Sequence, residues 1–318
     1  MFYASHLAER TAEGVAAFVR PSASRHFGAT PLLVQVAGCD DQLVAVAVEK
    51  VFAAAGSTGG LCGVDINLGC PMPCVQARGQ GAFMCYEDAR DCDAVFRCMR
   101  AMSRTCSSLG MAATAKIRIH RDVAKTVDLC RGLEHAGAAL VAIHGRTRYA
   151  QRRGSSNWAQ IAAARAALRP STLVLANGGV NTVADIDECL RATHADGIMS
   201  AEPLLNDPFL FARWHKRRGA SGDGGGGGTG SSSSNSSNSA LPHFDIDGPP
   251  TAAAYHLLDY AAACGSTLRE THGHLLWTLG LRQRSYNTWC RFRDEQRLQL
   301  YVAYRREKAA VNSLCTYR

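Results

Sequence analysis

The chain has 318 residues, 47% of them hydrophobic, and a formal net charge of +8. This size allows one large α/β domain and a small second domain, with enough apolar residues for a full core. No run of 18 or more apolar residues is present, so we expect no membrane span. The first 20 residues lack a signal-peptide pattern, because Glu9 and Glu13 interrupt any apolar stretch.

The 13 cysteines do not form a recognisable framework. Their number is odd, their spacing is irregular and no C-x-x-C pair occurs, which argues against both a disulfide scaffold and a zinc site. Cys70 and Cys74 are four residues apart, but no second pair accompanies them. We interpret most of these cysteines as small apolar filler in a reducing compartment.

The first 218 residues alternate between strand-like and helix-like segments. Met1–Ala4 has the character of the end of a strand. Apolar runs rich in β-branched residues then predict strands at 31–38, 61–69, 113–119, 139–145, 172–179 and 195–201. Helical periodicity predicts helices at 40–56, 87–104, 124–137, 158–168 and 183–193. Gly56 and Gly137 lie where helices commonly end.

Apolar strands separated by helices indicate a parallel sheet that is covered on both faces. Six such repeats favour an α/β fold of the (β/α)8 TIM-barrel type over a small open sheet. A barrel needs eight strands, and the chain begins inside strand-like residues. We therefore expect an N-terminally truncated barrel whose first strand is missing from this chain.

The remainder of the chain differs in composition. Residues 219–240 are almost wholly Gly, Ser and Asn, which predicts a disordered linker. Residues 241–318 have helical patterns and predict a small all-helical domain. Between 251 and 318 there are 10 Lys and Arg against 5 Asp and Glu, interleaved with aromatic residues. Such a segment is compatible with a nucleic-acid phosphate surface, although the same aromatics could form the core of a helical bundle.

Polar residues follow every predicted strand in the first 218 residues. An apolar strand end would be the cheaper solution for a core, so the repetition predicts a functional site where the carboxyl ends of the strands meet. The residues concerned are Gln35, Asn67 with Cys70, Lys116 with Arg118, His144 with Arg146, Asn177 with Gly178 and Gly179, and Glu202.

Cys70 lies on a turn between Gly69 and Pro71, ahead of a glycine-rich loop. A nucleophilic cysteine needs a nearby base, for which His144 is the candidate by strand position. A neutral thiol on a mobile loop can instead act as a general acid. An inert buried thiol is the ordinary alternative, and the exposed, glycine-rich turn argues against it.

Two further features suggest an anionic cofactor. Asn177-Gly178-Gly179 precedes a predicted helix, an arrangement that favours phosphate binding, although a plain turn needing glycines would look the same. Lys116 lies in a buried strand and should be paired with an anion or an electron-rich cofactor.

Several motifs occur in the same order and spacing as in a known family. INLGCP with RGQGAFM, AKIRI, VAIHGRTR followed by GSSNW, LANGGV, and GIMSAEPLLNDPFLF resemble the tRNA-dihydrouridine synthases, most closely the eukaryotic branch that acts on uridines 16 and 17. The resemblance covers roughly residues 1–218 and extends weakly into TLRETHGHLLWTLG. It implies an FMN-binding TIM barrel followed by a helical tRNA-binding domain, with NADPH or NADH as the reductant and tRNA as the partner.

The resemblance also implies roles for individual residues. Cys70 matches the catalytic cysteine, the general acid that protonates uracil C5. Cofactor-binding residues would be Gln35, Lys116 and His144 at the flavin ring, and Asn177, Gly178, Gly179, Ala201 and Glu202 at the phosphate end. Asn67, Arg118 and Arg146 would contact the uracil or its phosphates. No metal is implied.

This chain departs from the family pattern in two places. It has no counterpart of the Ala-Pro-Met turn after the first strand, and Pro203 stands where glycine is usual, removing one N–H near the phosphate end. Two alternative functions follow: an inactive tRNA-binding remnant, and a flavin oxidoreductase acting on a free pyrimidine. We expect a monomer without membrane association, in the cytoplasm, the nucleus or an organelle.

Overall fold

The computed structural model describes residues 1–19, 31–55, 60–87, 89–151 and 153–220. They belong to two compact units, the first formed by 1–180 with 184–199 and the second by 181–183 with the residues from Ser200 onward. The predicted helical domain, and all of the predicted linker except its first two residues, lie outside the described residues. Gly219 and Ala220 end a helix. Across the described ranges, no helix is both long and apolar enough to cross a bilayer.

Among the described residues, seven parallel strands form one sheet in chain order, and each strand after the first is paired with the strand before it. They are β1 (Phe2–Tyr3), β2 (Leu32–Ala37), β3 (Leu61–Leu68), β4 (Ala112–Arg118), β5 (Leu140–His144), β6 (Leu173–Asn177) and β7 (Gly197–Met199). A sequential, all-parallel sheet with helices between its strands is the arrangement of a (β/α)8 TIM barrel. The predicted fold class is therefore confirmed, as is each of the six predicted strands.

Helices occupy the connections between the strands and continue into the second unit. The first unit contains α1 (Ala4–Glu9), α2 (Ala12–Val19), α3 (Asp41–Ala55), α4 (Pro73–Gln76), the 3-10 turn Gly81–Met84, α5 (Ala94–Ser108), α6 (Val123–His135), α7 (Trp158–Ala167) and most of α8 (Val183–Thr193). The second contains α9 (Glu202–Asn206) and α10 (Leu210–Ala220).

The two faces of the sheet differ in composition because side chains alternate along each strand. One face packs toward the helices and consists of fully buried aliphatic residues: Val36, Val64, Ile66, Leu68, Ala115, Ile117, Val141, Ile143, Val174 and Ala176. The opposite face carries Gln35, Asp65, Asn67, Thr114, Lys116, Arg118, His144 and Asn177. The aliphatic layer therefore holds the barrel together, and the inner face is left for polar chemistry.

One irregularity interrupts the pairing of β2 with β3. Leu32 is paired with Leu61 and Leu33 with Gly63, so the register advances by one residue on β3, at Cys62. This is the two-against-one count of a β-bulge. Beyond it the pairing is regular and places Gln35 opposite Asp65.

The start of α5 differs from the sequence prediction, which began this helix at residue 87. The helix begins at Ala94. Asp91 Oδ1 accepts hydrogen bonds from the main-chain N–H groups of Asp93 and Ala94 at 3.0 and 3.1 Å. A side chain that satisfies the exposed N–H groups of a first turn ends the irregular segment there.

Candidate functional site

The strand-end residues predicted from the sequence lie next to one another across the sheet. Paired positions on parallel strands point their side chains to the same face, so the register alone brings these groups together. The pairs are Gln35 with Asp65, Asn67 with Lys116, Arg118 with His144, and His144 with Asn177. The result is a continuous polar row across the inner face from β2 to β6.

A chain of hydrogen bonds connects β4 to the turn that carries Cys70. Asp65 accepts from Thr114 Oγ1 at 2.7 Å and from Gln35 Nε2 at 2.8 Å. Gln35 Oε1 accepts from Asn67 Nδ2 at 2.8 Å. Asn67 Oδ1 in turn accepts from the Cys70 N–H at 2.9 Å. Four strand residues thus reach the main chain of the turn after β3.

The main chain of Cys70 is held on both sides. Its carbonyl accepts from the Ala82 N–H at 3.1 Å, and a Cβ at Gly81 would lie 2.8 Å from that oxygen. Arg118 Nε donates to the Gly69 carbonyl at 2.8 Å. The Cys70 side chain is half-buried. Within the described ranges no group of three or more metal-binding side chains occurs, so the thiol has no partners there for a metal site.

Lys116 is a half-buried cation on β4. No hydrogen bond or ion pair joins its ammonium to another residue that the structure describes. Burial lowers the pKa of Lys116 to about 8, and Arg118 adds to the shift while Asp65 opposes it. Burial likewise raises the pKa of Asp65, against the hydrogen bonds from Gln35 and Thr114 and the charge of Lys116. Lys116 is therefore an unpaired donor on the inner face.

His144 is a neutral imidazole at physiological pH. Burial lowers its pKa to about 3, helped by the charges of Lys116, Arg118 and Arg146. Arg146 Nη1 lies 3.3 Å from His144 Nε2. Because a guanidinium can only donate, Nε2 accepts and the proton is on Nδ1. A neutral histidine with this partner is poorly suited to withdraw a proton from Cys70, and β4 lies between their strands.

Both arginines predicted to contact substrate make hydrogen bonds to loops. Arg118 is 9% exposed and donates through Nη1 to the carbonyls of Thr147 and Gln151, in addition to Gly69. Arg146 Nε donates to the Gly154 carbonyl at 2.8 Å. Arg118 therefore joins the Cys70 turn to the loop that follows β5.

The glycines after β6 form a closely fitted turn. Gly178 and Gly179 have φ values of +94° and +83°, which side chains other than glycine rarely adopt. A Cβ at Gly178 would lie 2.7 Å from His144 Cδ2. Asn177 Nδ2 donates to the Met199 carbonyl at 2.7 Å, and Trp158 Nε1 donates to the Gly178 carbonyl at 3.0 Å.

Ser156 is a polar residue that the sequence reasoning did not single out. Its Oγ is buried and has no hydrogen-bond partner among the described residues. A Cβ at Gly145 or at Gly178 would lie 2.2 or 3.1 Å from this oxygen. The only signal in the sequence was its place inside GSSNW. Ala201 and Glu202 were predicted for the same end of the site, but they belong to the second unit.

The fold and the polar row place the chain in the class of TIM-barrel proteins that have a polar site at the carboxyl ends of their strands. The model of the dihydrouridine synthase (Dus) family matches residues 8–221, and the chain belongs to that family. The resemblance seen in its sequence motifs is thereby confirmed.

Similar proteins carry related names. A tRNA-dihydrouridine(16/17) synthase [NAD(P)(+)] of Schizosaccharomyces pombe is 33% identical over 183 residues, covering 57% of this chain and 43% of the relative. A human tRNA-dihydrouridine(20a/20b) synthase [NAD(P)+]-like protein is 32% identical, covering 59% and 56%. The chain thus spans about half the length of these curated relatives. Among solved structures, oxaloacetate acetylhydrolase with oxalate matches at 17% identity over 70% of each chain, with a TM-score of 0.39.

Proposed function

We propose that this chain carries out the flavin-dependent reduction of uridine to 5,6-dihydrouridine in the D-loop of tRNA, with NAD(P)H as the electron donor. The observation that carries the proposal is the polar row itself. In a chain of the dihydrouridine synthase family, Lys116, His144 and the turn bearing Cys70 are brought together at one end of the barrel. The names of the relatives support tRNA as the substrate.

The side chains of the inner face fit FMN. Lys116 is an unpaired cation among the described residues, and Gln35 has one amide N–H left after its bond to Asp65. His144 Nδ1–H is a further donor. Ser156 presents an unpartnered hydroxyl beside Gly178, where any Cβ would intrude. Donors at one end and a glycine turn at the other suit a polar ring system that carries a phosphate.

Within this proposal Gln35, Lys116 and His144 hold the flavin ring. Asn177, Gly178 and Gly179 hold the phosphate end. Bound FMN, once reduced by NAD(P)H, supplies the hydride that reduces the C5–C6 double bond of uracil. The cationic form of Lys116 stabilises negative charge on the ring system. The neutral His144 donates a hydrogen bond without adding a second cation.

Cys70 acts as the general acid that delivers a proton to uracil C5. The thiol is half-buried, and its main chain is fixed by Asn67 on one side and Ala82 on the other. A fixed main chain limits where the sulfur can lie, and this positioning is what proton transfer requires. The histidine of the site is neutral and bonded to Arg146, so it is not placed to act as the base or ion-pair partner of a nucleophilic cysteine.

The reaction requires that the target uracil leaves its stacked position, because its reacting carbons are not accessible within a folded tRNA. Asn67, Arg118 and Arg146 contact the uracil or its phosphates. Arg118 and Arg146 are hydrogen-bonded to loop carbonyls, and these bonds orient both guanidinium groups. We extend the proposal to the whole chain: the barrel within residues 1–218 is catalytic, a linker follows helix α10, and residues 241–318 bind tRNA, in a monomeric protein of the cytoplasm, the nucleus or an organelle.

The test uses the full chain with FMN, NADPH and tRNA that lacks dihydrouridine. We expect dihydrouridine in the D-loop, measured by mass spectrometry of nuclease fragments. Cys70→Ala should lower the rate by about 10²- to 10⁴-fold, as for loss of a general acid, while flavin absorbance and tRNA binding are retained. Cys74→Ala, an exposed thiol four residues away, is the matched control and should keep full activity.

Two results would contradict the proposal. One is the absence of dihydrouridine with every reductant, although flavin and tRNA both bind. The other is reduction of free uridine at a rate equal to that of tRNA, which would point to a small-molecule reductase.

A further inference from the structure

We propose that Asp65 is a positioning residue that sets the orientation of two amide side chains and, through them, the main chain of the Cys70 turn. Its consequence for catalysis rests on the function proposed above. Asp65 lies on β3, two residues before Asn67, and is 6% exposed. Nothing in the reaction requires its carboxylate to touch cofactor or substrate.

The carboxylate of Asp65 makes hydrogen bonds in one direction only. Ionised, it offers only acceptors, so every group facing it has to donate. Thr114 Oγ1 and Gln35 Nε2 both do so. Because Gln35 turns its NH2 group toward Asp65, its carbonyl oxygen has to face the other way, toward Asn67.

Asn67 transmits the orientation of Gln35 to the turn. Gln35 Oε1 accepts from Asn67 Nδ2, which directs Asn67 Oδ1 at the N–H groups of Gly69 and Cys70 at 3.2 and 2.9 Å. The two ends of an amide have nearly the same shape, so packing alone does not select one orientation. The reversed chain would place the NH2 group of Asn67 against the Cys70 N–H, donor against donor.

The carboxylate at the far end and the main-chain N–H groups of the turn at the near end therefore favour the same orientation, and loss of the carboxylate removes the constraint at one end. Thr114 does not set this orientation, because a carboxylate only accepts hydrogen bonds, whereas a hydroxyl both donates and accepts. Substitutions of Asp65 and Thr114 should therefore have different effects, although both are buried polar residues. The two residues also provide two matched substitutions on the same contact.

The experiment measures the accessibility of the Cys70 thiol in the full chain. Iodoacetamide alkylation is followed peptide by peptide by mass spectrometry, with Cys62 and Cys74 as internal references. Asp65→Leu removes the acceptors and should release the turn, raising the Cys70 rate by about tenfold, the effect of losing one such hydrogen bond. Thr114→Val leaves the Gln35–Asn67–Cys70 chain intact and should stay within about twofold of wild type.

A double-mutant cycle tests the orientation itself. Asp65→Asn can keep its carbonyl toward Gln35 while its NH2 group faces the Thr114 hydroxyl, so its Cys70 rate should stay within about twofold of wild type. Combined with Thr114→Val, that NH2 group loses its acceptor and competes for the side that faces Gln35, where it meets the Gln35 NH2 group, donor against donor, and breaks the far end of the chain. The double variant should then alkylate about tenfold faster, although neither single change does.

The proposal is overturned if Cys70 of Asp65→Leu is alkylated at the wild-type rate, or if Thr114→Val raises that rate as much as Asp65→Leu does. It is also overturned if the rate increase in the double variant is no larger than the product of the increases in the two single variants. Should Asp65→Leu fail to fold, which thermal unfolding would reveal, the Asn and Val cycle decides alone. Alkylation needs neither FMN, NADPH nor tRNA. A chain without dihydrouridine activity would therefore contradict the proposed function and leave this comparison intact.

Discussion

Lys116 and Asp65 carry opposite charges on neighbouring strands, and burial opposes the charge of each. The pKa of the lysine is lowered and that of the aspartate is raised, while each counteracts the shift of the other. No hydrogen bond joins them among the described residues. A lysine kept in this state is held at a cost to stability, which a bound anion or electron-rich ring would offset.

Replacing Lys116 by methionine should stabilise the ligand-free chain at pH 7. The lysine pKa is about 8 when folded and 10.5 by reference, a difference worth roughly 3 kcal/mol. The penalty is fully present below pH 8, where Lys116 is charged in both states. It disappears as pH rises from 8 to 10.5, because the folded chain loses this proton first. Urea unfolding of both proteins across that range measures the difference.

Lys125→Met is the control for this prediction. Lys125 is an exposed lysine paired with Glu87, and this pair raises its pKa. The difference in free energy of unfolding between Lys125→Met and wild type should therefore not narrow between pH 8 and 10.5. If Lys116→Met is no more stable than wild type at pH 7, the lysine is not desolvated as the structure indicates.

Asp65 and Ser156 show why the sequence revealed only part of the site. The predicted residues stood out because each follows an apolar run at a strand end. Asp65 lies inside such a run, in DINLG, and the pattern of strand ends does not single it out. Its signal was its spacing of two from Asn67, which puts both on the inner face. Ser156 lies in a loop, where only the fold brings it beside Gly178.

At the scale of the elements, strand and helix positions followed from hydrophobic periodicity, whereas boundaries depended on local hydrogen bonds. Helix α8 was predicted at 183–193 and has those bounds. Helix α5 starts seven residues later than predicted, because Asp91 bonds the main-chain N–H groups of its first turn. Hydrophobic pattern alone contains no information about which polar side chain will make such a bond.

The turn after β6 leads to a prediction about stability. Gly178→Ala should destabilise the chain by about 2 kcal/mol or more, since φ is positive and the new Cβ would meet the His144 ring at 2.7 Å. Gly110 has φ +70° and nothing within 4 Å of its Cβ position. Gly110→Ala should therefore cost only the backbone strain, about 1 kcal/mol. Urea unfolding distinguishes the two, and equal costs would mean that His144 moves freely.

At the scale of the whole molecule, the sequence indicated a barrel and a separate basic segment, and the described residues confirm the barrel. The sequential parallel order could be predicted because parallel strands require helical crossovers of this kind. The role of residues 241–318 stays a prediction, based on their charge and on the family resemblance.

Arg291, Arg293 and Arg297 provide a test of that role. Replacing all three by glutamine in the full chain should weaken tRNA binding. If each arginine contacts a phosphate, the slope of the logarithm of the binding constant against the logarithm of the salt concentration should become less steep by about 1 to 3. Filter binding between low and physiological salt measures the slope. Arg100, Arg104 and Arg191 are exposed on α5 and α8, and the same replacement there removes equal charge. An equal loss in both variants would mean that only net charge matters.

The irregular pairing at Cys62 has a consequence for how this chain can change. Continued without the irregularity, the register at Leu32 would set Gln35 opposite Val64, and the amide would face a helix-packing position instead of Asp65. The bulge therefore accommodates residue 62 without shifting the pairs that follow it. Substitution or deletion of Cys62 should therefore leave the link from β2 to the Cys70 turn intact, because deletion joins Leu61 to Gly63 and keeps Gln35 opposite Asp65. Deletion of Val64, beyond the bulge, would instead set Gln35 opposite Ile66 and break that link.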